Sequence, residues 1–141
     1  MNEAAYKRKL VKAVNSLPTG FAQRVEDRYA VGALDLIVKL PAWPMVWIEG
    51  KVVRGQSFGP TERQFKKGVK IEAAGMTALL VGWKGQQMAI SPWTDKAVFN
   101  ASFVGPDHYT TLEEFLYERS RLASGAHQPA SPAAFNDLGA P

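Results

Sequence analysis

The chain contains no cysteine. This excludes disulfide staples and every cysteine-ligated zinc or iron–sulfur site. Histidine is nearly as scarce, with only His108 and His127, so a histidine-rich centre is excluded and any metal must be held mainly by oxygen. Long apolar runs are also missing, since none approaches the ~20 residues that cross a bilayer. The opening MNEAAYKRKLVKAV lacks the apolar segment of a secretory signal. These absences predict a soluble, cytoplasmic protein of a reducing compartment with no membrane partner. What is present points to a real core: 46% hydrophobic residues in a chain of 141, with 7 Phe, 4 Trp and 4 Tyr. That composition excludes wholesale disorder, and the length predicts one domain.

The charge is unevenly placed. Residues 1 to 84 carry 14 basic and 7 acidic side chains, net +7, whereas residues 85 to 141 carry 3 and 6, net −3. A basic front segment suits either a polyanionic partner or a solvated face without one.

Leu10, Val14 and Leu17 recur at helical intervals, with Lys7, Arg8, Lys9 and Lys12 mostly on the other side, and Pro18-Thr19-Gly20 ends the pattern. Three stretches of strand character follow, at Ala22 to Val31, Ala33 to Leu40 and Met45 to Val53, consistent with an antiparallel meander. A second helix is expected over Thr61 to Ala74, with Pro60 in its first turn and Gly75 at its C-terminal cap. Met76 to Gly82 reads as a strand buried on both faces, and Gln87 to Ser91 as one more. Thr111-Leu112-Glu113-Glu114 has the pattern of a capping box opening a last helix to Leu122. The Pro-, Ala- and Ser-rich residues 123–141 read as a flexible tail, leaving residues 1–122 as the single domain. The order αβββαβ(β)α predicts an α/β fold, a mixed sheet flanked by helices.

Two acids interrupt apolar strands: Asp35 within Ala33-Leu34-Asp35-Leu36-Ile37-Val38, and Glu49 within Trp47-Ile48-Glu49-Gly50-Lys51. A lone carboxylate in a sheet is costly and needs a partner. Alternation puts Glu49 and Lys51 on one face, and a neighbouring strand can bring Asp35 beside them. Two carboxylates and an ammonium suit a hard divalent cation, the lysine orienting or deprotonating a water; a plain buried ion pair satisfies the same pattern.

The spacing from Asp35 to Glu49-Gly50-Lys51 resembles the PD-(D/E)xK nuclease signature. Gly32-Ala33-Leu34-Asp35-Leu36-Ile37-Val38 is similar to the G-x-P-D-L-x-x hairpin of the VRR-NUC and phage-type Holliday-junction resolvase branch, with Leu34 in place of proline. Pro60-Thr61-Glu62-Arg63-Gln64 resembles that branch's s-x-x-Q helix start, and a glycine and apolar strand follow at Gly75 to Val81. The resemblance spans about residues 3 to 84. It implies a restriction-endonuclease-like core in which Asp35, Glu49 and the carbonyl of Gly50 bind Mg²⁺ or Mn²⁺. It further implies that Lys51 positions the attacking water and that Gln64 reaches back to the catalytic strand or a substrate phosphate. Glu3, at helical spacing from Leu10 and Leu17, is a candidate for completing the metal shell, in competition with Glu26 and Asp27.

The basic residues suited to phosphate are Lys7, Arg8 and Lys12 on the first helix, Arg54, and Arg63, Lys66, Lys67 and Lys70 on the second. Gly55 to Gly59 reads as a flexible loop near the substrate, and the four tryptophans as core. The resemblance implies a Mg²⁺-dependent endodeoxyribonuclease selective for branched DNA, expected as a two-fold homodimer if the substrate is a symmetric junction. The alternatives are a non-catalytic nucleic-acid-binding protein on the same scaffold, and a nuclease acting on RNA or on specific DNA sequences.

Overall fold

The first helix, α1, runs over Glu3–Asn15 and is started by Asn2, whose side chain accepts the Ala5 N–H at 2.9 Å. Its buried stripe is Tyr6, Leu10 and Val14, one residue per turn, joined by Lys7. The computed structural model describes residues 1–25 and 34–125. Within them β1 (Phe21–Arg24), β2 (Leu36–Lys39) and β3 (Val46–Val52) form the antiparallel meander, registered Phe21↔Lys39 and Leu36↔Ile48. The rest of the first expected strand, with Glu26, Asp27 and the hairpin glycine Gly32, lies outside the described residues.

Between β3 and the next helix, residues expected as a flexible loop instead supply β4 (Ser57–Phe58), which pairs with β7 (Ala97–Val98). The reason is Phe58, whose buried ring packs with Val53, Leu80 and Phe99. Helix α2 (Glu62–Ala73) begins with a capping box between Thr61 and Gln64, so Pro60 stands just before the cap rather than in the first turn. Gly75 adopts φ +86° directly after the helix, the left-handed conformation that glycine tolerates. Strand β5 (Thr77–Lys84) then lies parallel to β3, and β6 (Gln87–Pro92) turns back along it.

A strand that the sequence pattern did not announce, β8 (Phe103–Pro106), closes that side of the sheet. Helix α3 runs from Tyr109 to Gly125, starting ahead of the expected capping box. Thr111 caps nothing there, because its hydroxyl donates to the Pro106 carbonyl at 2.6 Å. The tail expected beyond Leu122 begins inside this helix, and residues 126–141 lie outside the described ones.

The six-stranded sheet has the order β1-β2-β3-β5-β6-β8, with only β3 and β5 parallel. On one face α1 and α3 pack Tyr6, Leu10, Leu112 and Phe115 against Leu36, Ile48, Leu79 and Val81. On the other, Ile71 of α2 meets Leu34 and Ala78, and Phe58 and Phe99 cover Leu80. Each such side chain fully withdrawn from water contributes roughly 1.5–3 kcal/mol. The result is an α/β fold, a mixed sheet flanked by helices, with β3 covered on both sides.

Candidate functional site

Strand β3 is apolar at Val46 and Ile48 on the face toward α1, so its alternate residues Trp47, Glu49 and Lys51 project to the opposite face. Glu49 is fully buried there, at 0% exposure. The Leu36↔Ile48 register, continued by one residue, sets Asp35 opposite Glu49. At Asp35 the alternation of β2 breaks, since Leu34 packs with Ile71 of α2 while Leu36 packs on the α1 side. The Asp35 carboxylate is thereby accessible both to Glu49 and to groups from α1.

Lys51 Nζ lies 3.2 Å from Glu49 Oε2, an ion pair with Lys51 a quarter exposed. Neither oxygen of Glu49 has a hydrogen-bond partner, and they are the only acceptors among the orphaned buried side-chain atoms of the described residues. Burial, together with the adjacent Asp35 carboxylate, pushes the Glu49 carboxyl up to about 8, against the opposing pull of Lys51.

On the α1 side, Lys7 Nζ approaches Asp35 Oδ2 at 2.6 Å and Glu3 Oε2 at 3.1 Å. Burial disfavours the ammonium, but the hydrogen bonds and charges of Asp35 and Glu3 outweigh it and raise the Lys7 pKa. The sequence pattern puts Lys7 mostly on the exposed side of the helix with Arg8; the structure buries it at 6% exposure. It lies three residues before Leu10 and seven before Val14, a spacing that marks the buried stripe, and only its charge argues otherwise. The stem passes over Gly50, where a Cβ would stand 3.5 Å from Lys7 Cε and 2.5 Å from the Trp83 ring. Gly50 N–H also points to Asp35 Oδ2, at a long 3.4 Å.

Glu3 does not join the other two acids. Its Oε1 accepts the Val52 N–H at 3.2 Å and its Oε2 faces Lys7, so the ammonium stands between it and Asp35. Among the described residues no group of three or more acidic or histidine side chains converges as a metal site. Gln64 is half-buried, its side-chain oxygen accepting the Thr61 N–H at 2.9 Å in the helix cap. Arg8, Lys12, Arg54, Arg63, Lys66, Lys67 and Lys70 are exposed, Lys66 pairing with Glu62 at 3.3 Å. Helices α1 and α2 lie on opposite faces of the sheet, which separates the two basic sets. Trp83 is wholly buried and stacked on Tyr6 at 5.3 Å, a core role.

The site is thus carried by a meander leading into a parallel β-α-β unit, with Asp35 just before its second strand and Glu49 in its third. A similar solved structure is that of Hjc, a Holliday junction resolvase from the archaeal hyperthermophile Archaeoglobus fulgidus. The match has a TM-score of 0.54 and 13% identity, and covers 71% of this chain and 88% of that one. No family model matches the sequence, and no curated protein matches it. No helix among the described residues is long and apolar enough to cross a membrane.

Proposed function

We propose that the protein is a divalent-metal-dependent endonuclease that hydrolyses DNA phosphodiester bonds, with branched DNA of the Holliday-junction type as its favoured substrate. The observation that carries this reading is the buried Glu49 carboxyl beside Asp35, whose Oε1 accepts no hydrogen bond and whose Oε2 has only the Lys51 ammonium, at 3.2 Å, as an ion-pair partner. A purely structural acid in a sheet interior would be hydrogen-bonded. Mg²⁺ is ordinarily held by one or two carboxylates and completes its shell with water and phosphate oxygens, so a two-acid set suits it. Asp35, Glu49 and the carbonyl of Gly50 are the residues that would hold Mg²⁺ or Mn²⁺. Such an ion, when bound, supplies an activated water and neutralises charge on the scissile phosphate.

Lys51 shares the face of Glu49, where its ammonium orients the attacking water and stabilises charge gathering on the phosphate. The side-chain nitrogen Nε2 of Gln64 has no partner among the described residues and can donate to a phosphate without disturbing the cap, which uses its Oε1 and backbone N–H. Arg54, Arg63, Lys67 and Lys70 supply non-specific attraction on the α2 side, and Arg8 and Lys12 on the α1 side. The fold's similarity to a Holliday junction resolvase favours junctions over linear duplex, and a two-fold dimer would match a junction's two equivalent strands.

The test is a cleavage panel of labelled four-way junction, flap, linear duplex and single-stranded DNA with Mg²⁺ or Mn²⁺. Junction cleavage is expected to fall roughly 100-fold or more in Asp35→Asn, Glu49→Gln and Lys51→Ala, with DNA binding retained in chelator. Undiminished cleavage by these variants would show that the site is elsewhere. Binding without cleavage by the native protein would favour a nucleic-acid-binding protein on this scaffold.

A further inference from the structure

Lys7 is a charged residue that the cleavage reading leaves without a task. Its side chain is 7% exposed, and its ammonium meets two groups, Asp35 Oδ2 at 2.6 Å and Glu3 Oε2 at 3.1 Å. Both are carboxylates. It reaches them from α1 over Gly50, where a Cβ would stand in ordinary contact with Lys7 Cε, at 3.5 Å, and overlap the Trp83 ring. Glu3 is itself tied to β3 through the Val52 N–H, so the pair is fixed to the strand that carries Glu49. A buried ammonium placed this way is matched in charge to its surroundings, since an unpaired one would not stay ionised there.

This placement has a consequence for a divalent ion held by Asp35 and Glu49. Asp35 Oδ2 is the oxygen that such an ion and the Lys7 ammonium, 2.6 Å away, would both occupy, and two cations at that range repel each other. Glu3, four residues away on the same helix and 41% exposed, remains as the partner to which Lys7 can fall back.

We propose that Lys7 is a built-in counter-cation of the site: its ammonium holds Asp35 while no divalent ion is present and releases it when one enters. The proposal rests on the reading of Asp35 and Glu49 as metal-holding residues. It makes Lys7 a positioning residue that opposes the metal and supports the metal-free fold, two effects of opposite sign.

Lys7→Met keeps the apolar stem and removes the charge. In chelator its thermal midpoint is expected to fall by about 5 °C or more, as a broken buried pair requires. Its affinity for Mn²⁺, measured calorimetrically, is expected to rise roughly tenfold or more, because a like charge beside the ion has gone. A residue with only a structural role would weaken both. Mn²⁺ uptake by the native protein and not by Glu49→Gln, with no tightening in Lys7→Met, overturns the proposal and leaves the cleavage reading standing. No Mn²⁺ uptake by the native protein overturns both. Should Lys7→Met fail to fold, ¹³Cε-lysine NMR of the native protein decides the matter, with the Lys7 signal assigned by Lys7→Arg. On titration with Mg²⁺ that signal is expected to move along the binding isotherm, and a stationary signal during saturation overturns the proposal.

Discussion

Glu49 shows how a single residue can oppose the fold it occupies. A carboxyl raised to about 8 binds its proton in the folded state at pH values where the unfolded chain has already lost it. Below about pH 4.5 both states are protonated, and the group contributes nothing to the pH dependence. Between there and pH 8 the folded state holds the extra proton, so stability falls as pH rises, and above pH 8 the loss is complete. The span corresponds to a few kcal/mol, on the order of the free energy carried by several pKa units. In metal-free protein, the stability of Glu49→Gln minus that of the native chain is therefore expected to grow from pH 5 to pH 8. Denaturant unfolding at several pH values checks this; a difference independent of pH would mean that Glu49 is ionised throughout. Asp35 and Glu49 are legible in the sequence because each breaks an apolar strand. The burial of Lys7 is not, because a lysine on an amphipathic helix is ordinarily assigned to solvent.

At the scale of elements, helix α2 contains an instructive glycine. Gly68 is buried in the helix, where glycine normally costs about 1 kcal/mol relative to alanine. A Cβ at this position would overlap the Trp93 indole, whose Nε1–H donates to the Phe65 carbonyl at 3.1 Å. Packing therefore outweighs propensity. Gly68→Ala is expected to destabilise by about 1–3 kcal/mol rather than stabilise, as read from denaturant midpoints. A gain in stability would show that Trp93 moves aside freely. The elements that sequence alone reveals are those with strong local signals: α1 with its apolar period, α2 with Gly75 behind it, and β5 with its unbroken apolar run. The pieces that escape it, β4, β7 and β8, are two to four residues long and are held by partners distant in the chain. Ser57–Phe58 pairs with Ala97–Val98, and no local pattern announces such a ribbon.

For the whole molecule, the net +7 of the first 84 residues acquires a geometry. The exposed bases of α2 and those of α1 lie on opposite faces of the sheet, so a single duplex lying along one face meets one set. If the α2 side is the one that meets DNA, replacing Arg63, Lys67 and Lys70 together with alanine weakens binding to every DNA form alike. It also lowers the slope of log K against log salt by up to about 3, close to one for each phosphate no longer neutralised. Fluorescence anisotropy across a salt series measures both quantities. An unchanged slope would move the interface away from α2.

The one parallel pairing in the sheet has a further consequence, for the entropy of chain closure. Val38 pairs with Val46 across the meander, and Lys84 with Gln87 across the hairpin, both between near neighbours in sequence. Val46 pairs with Thr77 only after the chain has travelled through β4 and α2. The entropic cost of assembling the centre of the sheet is thus concentrated at this seam. Glu49 lies on it, opposite Leu80. Neither half of the sheet alone encloses that carboxyl, and until the halves join it is an ordinary solvated acid.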